Sequence, residues 1–284
     1  MSAAPVPPRF RTAYGEILAQ WPLPVDSRDV PTPYGLTRVN SCGPRTAPPV
    51  VLLPGGGATS LVWRAAVAAG LGGAQRVHAV DLVGEPGLSV PADGRPIRTT
   101  DDLTGWLDEV LDAVLDAPDI SGPVTLAGHS YGAWIAAHYA ARHPARLARL
   151  VLFDPVQVFA GLRPGYVLRA LPMLLRPTPV RIRRFLAWET GGADLDPAWM
   201  RLQDATAAFP TVRPVTGPRP VLTGTGRPST VLCFAGRARC HDAARVAAAA
   251  RTALPEARTD VVPGVSHHSM PLLAADAIAR SLAV

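Results

Sequence analysis

The chain has 284 residues, 48% of them hydrophobic and 18% charged, so it is long and apolar enough to bury a full core and is not a disordered segment. Its net charge of +6 comes almost wholly from arginine. There is no basic stripe with interleaved aromatics, and we expect no nucleic-acid partner. The three cysteines are too few and too irregularly spaced for a disulfide framework or a metal site.

The N-terminus lacks the pattern of a signal peptide, and no apolar run approaches the ~20 residues of a membrane span. From this we expect a soluble, cytoplasmic protein without a membrane span.

Short apolar runs and helix-length segments alternate along the first half of the chain. Five prolines among residues 1–24 predict an arm on the surface. The alternation that follows predicts βαβ units, and therefore a parallel sheet covered on both faces. Strands are predicted at residues 36–40, 50–53, 76–82, 124–127 and 150–153, and helices at 61–71, 100–115 and 133–142.

The alternation stops near Asp154 and resumes at residue 229. The intervening residues are rich in proline and arginine and hold helical patches without a clear buried strand. We therefore predict one α/β core domain, residues 1–155 and 228–284, interrupted by a helical cap of residues 156–227. The resumed pattern predicts strands at 229–235 and 258–262 and helices at 242–254 and 269–282.

The strongest motif is Gly128-His129-Ser130-Tyr131-Gly132, between a predicted strand and a predicted helix. This is the context of a nucleophile elbow, a sharp turn that presents a serine above the sheet edge. Glycines on either side let neighbouring backbones come close. We predict that Ser130 is a nucleophile; the alternative is a chance occurrence of the pattern.

A serine hydroxyl needs a base, usually a histidine oriented by a carboxylate. In folds with a nucleophile elbow, the three residues occur along the sequence in the order serine, acid, histidine. Two histidines follow the last predicted strand directly, and their position relative to Pro263-Gly264 favours His267 as the base. His268 remains the alternative.

Two carboxylates compete for the role of the acid. Asp242 follows the strand predicted at 229–235, and Asp154 follows the strand before it. Because the last strand should lie beside the strand at 229–235, we predict that Asp242 orients the histidine. Its alternative use is to cap the following helix. Asp154, which stands before Pro155, is the rival acid.

Acyl transfer also needs hydrogen-bond donors for the oxyanion. One donor is expected to be the backbone N–H of Tyr131, which follows the nucleophile. The other is expected from Gly56, in the stretch Pro54-Gly55-Gly56-Gly57 after an early strand. The alternative interpretation, a phosphate-binding loop, is weak, because this stretch lacks both the glycine spacing and the lysine of such loops.

Together these motifs resemble the α/β-hydrolase superfamily over nearly the whole chain, and within it the carboxylesterases of the naproxen-esterase type. The subgroup likeness rests on Leu52-Leu53-Pro54-Gly55 followed by Trp63, on residues 77–84 continuing to 89–91, and on Trp106-Leu107-Asp108. The resemblance implies an α/β-hydrolase fold: a mostly parallel central sheet flanked by helices, with an inserted helical cap.

By position, the resemblance implies a triad of Ser130, Asp242 and His267, with Gly56 and Tyr131 as oxyanion donors. The chain departs from the family pattern in two places. Most members have His-Gly where this chain has Pro54-Gly55, and many have an aspartate where it has Arg239.

The implied activity is hydrolysis of a carboxylic ester of a small acyl substrate through an acyl-enzyme, without a metal or an organic cofactor. Phe185 and Trp188 of the cap are the predicted substrate-binding residues. One alternative is a thioesterase or lactone-forming cyclase, with an acyl carrier as partner of a thioesterase. Another is a hydrolase-fold protein that binds without catalysis. Further candidates for the wall of the acyl pocket are Leu171, Met173, Leu174 and Trp199.

Overall fold

The computed structural model describes residues 6–115, 122–209, 214–222 and 226–283. In this part of the chain the strands form a single sheet. They are β1 (Asp26–Thr32), β2 (Gly35–Cys42), β3 (Pro49–Leu53), β4 (Arg76–Val80), β5 (Val90–Pro91), β6 (Val124–His129), β7 (Leu147–Phe153), β8 (Ser229–Ala235) and β9 (Arg258–Val262).

The strand order in the sheet is β1-β2-β4-β3-β6-β7-β8-β9, with the short β5 paired to β2. The pairs β1–β2 and β2–β4 are antiparallel, and every pair from β4 through β9 is parallel. Strand β6 lies in the middle and all six of its residues are buried. The expected α/β-hydrolase fold, with a mostly parallel central sheet, is confirmed.

Helices cover both faces of the sheet, which creates two apolar cores. Side chains alternate along β3, so that Val50 and Leu52 enter one core and Val51 and Leu53 the other. The helices are α1 (Pro8–Leu18), α2 (Arg64–Ala68), α3 (Thr100–Leu115), α4 (Tyr131–Arg142), α5 (Pro164–Leu175), α6 (Pro179–Thr190), α7 (Pro197–Thr206), α8 (Ala243–Ala253), α9 (Met270–Leu273) and α10 (Ala275–Leu282), with 3₁₀ turns at Ser60–Trp63 and Pro144–Arg146.

The N-terminal segment is not the predicted surface arm. Helix α1 begins at Pro8, because proline suits the first turn of a helix, where its missing N–H is not needed. Phe10, Tyr14 and Ile17 then share one buried face at helical spacing. The ring of Phe10 lies edge-on to Phe209 with centroids 4.5 Å apart, and α1 packs on α7.

The segment between β7 and β8, residues 156–227, holds α5, α6 and α7. Within its described residues (156–209, 214–222 and 226–227) it contributes no strand to the sheet. We call it the inserted segment; its status as a separate cap domain stays a prediction. Among the described helices, none combines the length and the apolar character needed to cross a membrane.

Candidate active site

Ser130 occupies the sharp turn between β6 and α4. Its backbone has φ 55° and ψ −115°. Residues other than glycine seldom adopt this backbone conformation, which is strained. A Cβ on Gly128 would lie 2.4 Å from the backbone of Gly132, and one on Gly132 would lie 2.4 Å from the carbonyl oxygen of Pro54. Both positions therefore require glycine for steric reasons, as the motif predicts.

A chain of hydrogen bonds connects Ser130, His267 and Asp154. The Nε2 of His267 lies 2.7 Å from the Oγ of Ser130, and its Nδ1 lies 2.6 Å from the Oδ2 of Asp154. A carboxylate accepts the proton of Nδ1, which leaves Nε2 to accept from the serine hydroxyl. The neighbouring His268 points elsewhere, with its Nε2 3.0 Å from the hydroxyl of Tyr166.

The prediction that Asp242 contacts the histidine is wrong. Asp242 is half exposed, accepts a hydrogen bond from the amide of Arg245 as the N-cap of α8, and pairs with Arg163 at 3.3 Å. Capping a helix is the alternative role that the sequence allows for Asp242. The rival acid, Asp154, makes the hydrogen bond to His267. The reason is geometric: His267, in the loop after β9, must reach back across β8 to Ser130, which directly follows β6. Asp154 directly follows β7, and β7 lies between β6 and β8.

Asp154 is completely buried and has both carboxylate oxygens occupied. Its Oδ1 contacts the Nε2 of His241 at 2.9 Å and accepts from the amide of Ala235 at 2.9 Å, while Oδ2 faces His267. Burial raises the pKa of Asp154, but the hydrogen bonds and charges of the two histidines together lower it by more. The carboxyl is therefore held in its ionised form.

The same carboxylate acts on the pKa of both histidines. Burial lowers the pKa of His241, but Asp154 raises it to about 9. Burial also lowers the pKa of His267, and Cys240 together with Asp154 raises it well above its ordinary value. His129, buried beside the base, has its pKa lowered to about 3 by burial and by the charge of His267, and so stays neutral.

Asp154, Cys240 and His241 form a cluster with potential metal-ligand atoms within 4.8 Å of one another. The aspartate oxygens are already engaged by His241 and His267. The hydrogen bonds of Asp154 to His241 and His267 explain why these residues lie close together.

The two predicted oxyanion donors lie beside the nucleophile. Gly56 and Tyr131 both line the cavity that contains Ser130. Tyr131 is the first residue of α4, and the amides of a first helical turn have no acceptor within the helix. The amide of Gly57 donates to the carboxylate of Glu85 at 2.8 Å, whereas that of Gly56 has no acceptor among the described residues.

Glu189, on α6 of the inserted segment, holds the loop that carries the histidine. It is 1% exposed, and its carboxylate accepts from the Oγ of Ser266 at 2.8 Å and from the amides of His267 and His268 at 3.1 Å each. Burial raises the pKa of Glu189, and the charge of His267 opposes that rise. The inserted segment thus contributes directly to the position of the candidate base.

We expect Glu189→Gln to lower kcat/KM by about 10²-fold, because an amide nitrogen would face backbone N–H donors and displace the loop. Loss of the negative charge also destabilises the protonated form of His267, so the acidic limb of the pH profile should move to lower pH. The measurement is kcat/KM against pH for a short ester. Asp204→Asn, which removes a carboxylate of α7 that pairs with Arg183, is the matched control. An unshifted pH profile would reduce Glu189 to a purely structural role.

Ser130 and His267 open onto a cavity of about 380 Å³ between the sheet edge and the inserted segment. The predicted substrate-binding residue Phe185 lines it. Trp188 does not; it packs against Phe185 and Tyr166, with the guanidinium groups of Arg169 and Arg239 over its ring. Much of the wall is apolar, formed by Val62, Met173, Ile182, Leu186 and Trp199.

Sequence reasoning missed Glu189 and His241. Glu189 is the only acidic residue between Asp154 and Asp194, which was a usable signal for a special role. His241 stands next to the predicted acid, but nothing in the sequence indicated that it reaches Asp154.

A family model described as "Alpha/beta hydrolase family" matches residues 50–281. The carboxylesterase YbfK of Bacillus subtilis is 30% identical over 196 residues, which are 68% of this chain and 62% of that protein. The uncharacterized carboxylesterase nap of the same organism is 30% identical over 151 residues, 53% of this chain and 48% of its own length. These sequence matches thus span less than two thirds of either relative.

Solved structures from the same organism match over greater lengths. The carboxylesterase CesB (YbfK) has a TM-score of 0.84 and 23% identity, covering 96% of this chain and 95% of that one. Naproxen esterase has a TM-score of 0.82 and 22% identity, with the same coverage. Both likenesses concern the fold.

Proposed function

The chain belongs to the alpha/beta hydrolase family, and from that premise we propose that it is a serine hydrolase of carboxylic esters. The observation that carries the proposal is the continuous hydrogen-bonded chain from Ser130 through His267 to Asp154 at the base of an apolar cavity. Similarity to Bacillus carboxylesterases supports the choice of an ester as substrate.

In the first half of the reaction His267 takes the proton of Ser130 at Nε2, and the serine oxygen forms a bond to the ester carbonyl carbon. The negative charge that develops on the carbonyl oxygen is stabilised by the amides of Gly56 and Tyr131. Asp154 holds the imidazole in place and stabilises its protonated form. His267 then donates its proton to the leaving alcohol as the bond to that oxygen breaks.

In the second half His267 removes a proton from water, which attacks the acyl-enzyme, and the acid leaves as the proton returns to Ser130. The thioesterase and cyclase alternatives share the acyl-enzyme and differ in the leaving group or in the acceptor. Because the cavity wall is mostly apolar, the acyl group is the part of the substrate that it accommodates.

The direct test is labelling with a fluorophosphonate probe and location of the adduct by mass spectrometry. We expect one adduct, on the peptide that contains Ser130, because only an activated serine reacts rapidly with this phosphorus centre. Prior incubation with a short ester should slow labelling, and Ser130→Ala should abolish it. A folded wild-type protein that takes up no probe would favour the binding protein without catalysis.

A further inference from the structure

Exposed apolar side chains are concentrated on one short part of the inserted segment. Ten large hydrophobic residues are exposed in the described part of the chain, and six of them lie within residues 167–180. Leu168, Leu175 and Val180 are 69%, 66% and 66% exposed. We call this group the α5–α6 patch; its members are Val167, Leu168, Leu171, Leu174, Leu175 and Val180.

Five members of the patch lie on α5, and Val180 lies at the start of α6. Leu168, Leu171 and Leu175 follow one another at spacings of three and four residues, which places them on the same side of α5. Ala170, the buried residue of this helix, faces the opposite side. A contiguous apolar surface of this kind, left in water, marks a site of contact with another apolar phase.

The charge around the patch has one sign. From Pro155 to Trp188 the sequence contains six arginines (Arg163, Arg169, Arg176, Arg181, Arg183 and Arg184) and no aspartate or glutamate. Arg163 and Arg183 pair with Asp242 and Asp204. Among the described residues, Arg176, Arg181 and Arg184 have no carboxylate partner, and Arg181 donates only to backbone carbonyls of Pro172 and Arg176.

The patch also adjoins the opening of the cavity. Leu174 is 53% exposed and lines the same cavity as Ser130, as do its neighbours Met173 and Pro177. An apolar molecule held at the patch is therefore next to the space that leads to the nucleophile.

We infer that the α5–α6 patch docks this protein on the surface of an anionic lipid assembly. Leucines on one face of a helix and arginines beside it are the two contributions to binding at a lipid interface: burial of apolar area and attraction to negative headgroups. A second copy of the chain is a poorer occupant, because two such patches would bring unpaired arginines together. Transfer of an acyl substrate from the lipid into the cavity rests on the proposed function; the docking does not.

The test is flotation of the full chain with vesicles, carried out on the Ser130→Ala variant so that lipid hydrolysis plays no part. We expect binding to vesicles of mixed phosphatidylglycerol and phosphatidylcholine, weaker binding to phosphatidylcholine alone, and loss of binding as salt is raised. Leu168→Ser with Leu175→Ser should reduce partitioning by about tenfold or more. Arg176→Gln and Arg184→Gln should each reduce it by about fivefold.

The matched controls are Leu36→Ser on β2 and Arg280→Gln on α10, exposed residues outside the inserted segment, which should leave partitioning unchanged. The inference is overturned if the protein does not float with anionic vesicles, or if the patch variants bind as well as the controls. A concentration-dependent dimer that the paired leucine variant abolishes would assign the face to a second copy instead. Since no turnover is measured, failure here leaves the fluorophosphonate result untouched.

Discussion

Replacing Ser130 with alanine is expected to lower kcat for a short p-nitrophenyl ester by about 10⁶-fold, the scale seen when a triad nucleophile is removed. The hydroxyl oxygen of Ser130 lies 2.7 Å from the Nε2 of His267, and in the proposed mechanism no acyl-enzyme forms without it. The measurement is steady-state turnover together with thermal unfolding, which should stay close to that of the wild type.

Ser229→Ala, at the exposed start of β8, is the matched control and should retain full activity. If Ser130→Ala kept even a tenth of wild-type turnover, the serine would not be the nucleophile, and the activity would have to come from another site.

Asp154→Asn is expected to lower kcat/KM by about 10⁴-fold. The amide has one oxygen in place of two, and it no longer stabilises the protonated imidazole. Because the carboxylate raises the pKa of His267, its removal lowers that pKa. The base must be neutral to accept a proton, so the acidic limb of kcat/KM lies above pH ~6.5 in the wild type and moves to lower pH in the variant.

Asp242→Asn is the matched control, since asparagine caps a helix about as well as aspartate. It should leave kcat/KM, its pH profile and the unfolding temperature near wild type. A large loss of activity in Asp242→Asn, with Asp154→Asn active, would return the role of the acid to Asp242.

The sequence predicts best those features that depend on residues close together in the chain. The elbow around Ser130 is defined by five consecutive residues, and the steric need for Gly128 and Gly132 follows from the turn itself. Strands with consecutive buried apolar residues, such as β3 and the second half of β7, are visible as apolar runs. Strand β1 is not visible, because it is an edge strand of largely polar residues in which only Val30 is buried.

The wrong predictions concern contacts between residues that are far apart in the sequence. The choice of acid depended on how far the histidine loop reaches across the sheet, and the order of strands does not specify that distance. The sequence predicts that both Phe185 and Trp188 bind substrate, but in the structure Phe185 lines the cavity while Trp188 packs against Phe185 and does not line it. The proline content of residues 1–24 obscured the helical spacing of Phe10, Tyr14 and Ile17.

The contacts of Glu189 and of helix α1 restrict how this protein can change its specificity. Residues 156–227 supply part of the cavity wall, so they are the natural target for an exchange between relatives with different substrates. The same residues carry the carboxylate that holds the His267 loop, and they pack on a helix from the start of the chain. A transplanted segment would therefore need a matching acid at position 189 and a matching α1. Without them, the hybrid would have a new cavity wall but would not hold His267, the proposed base, in position.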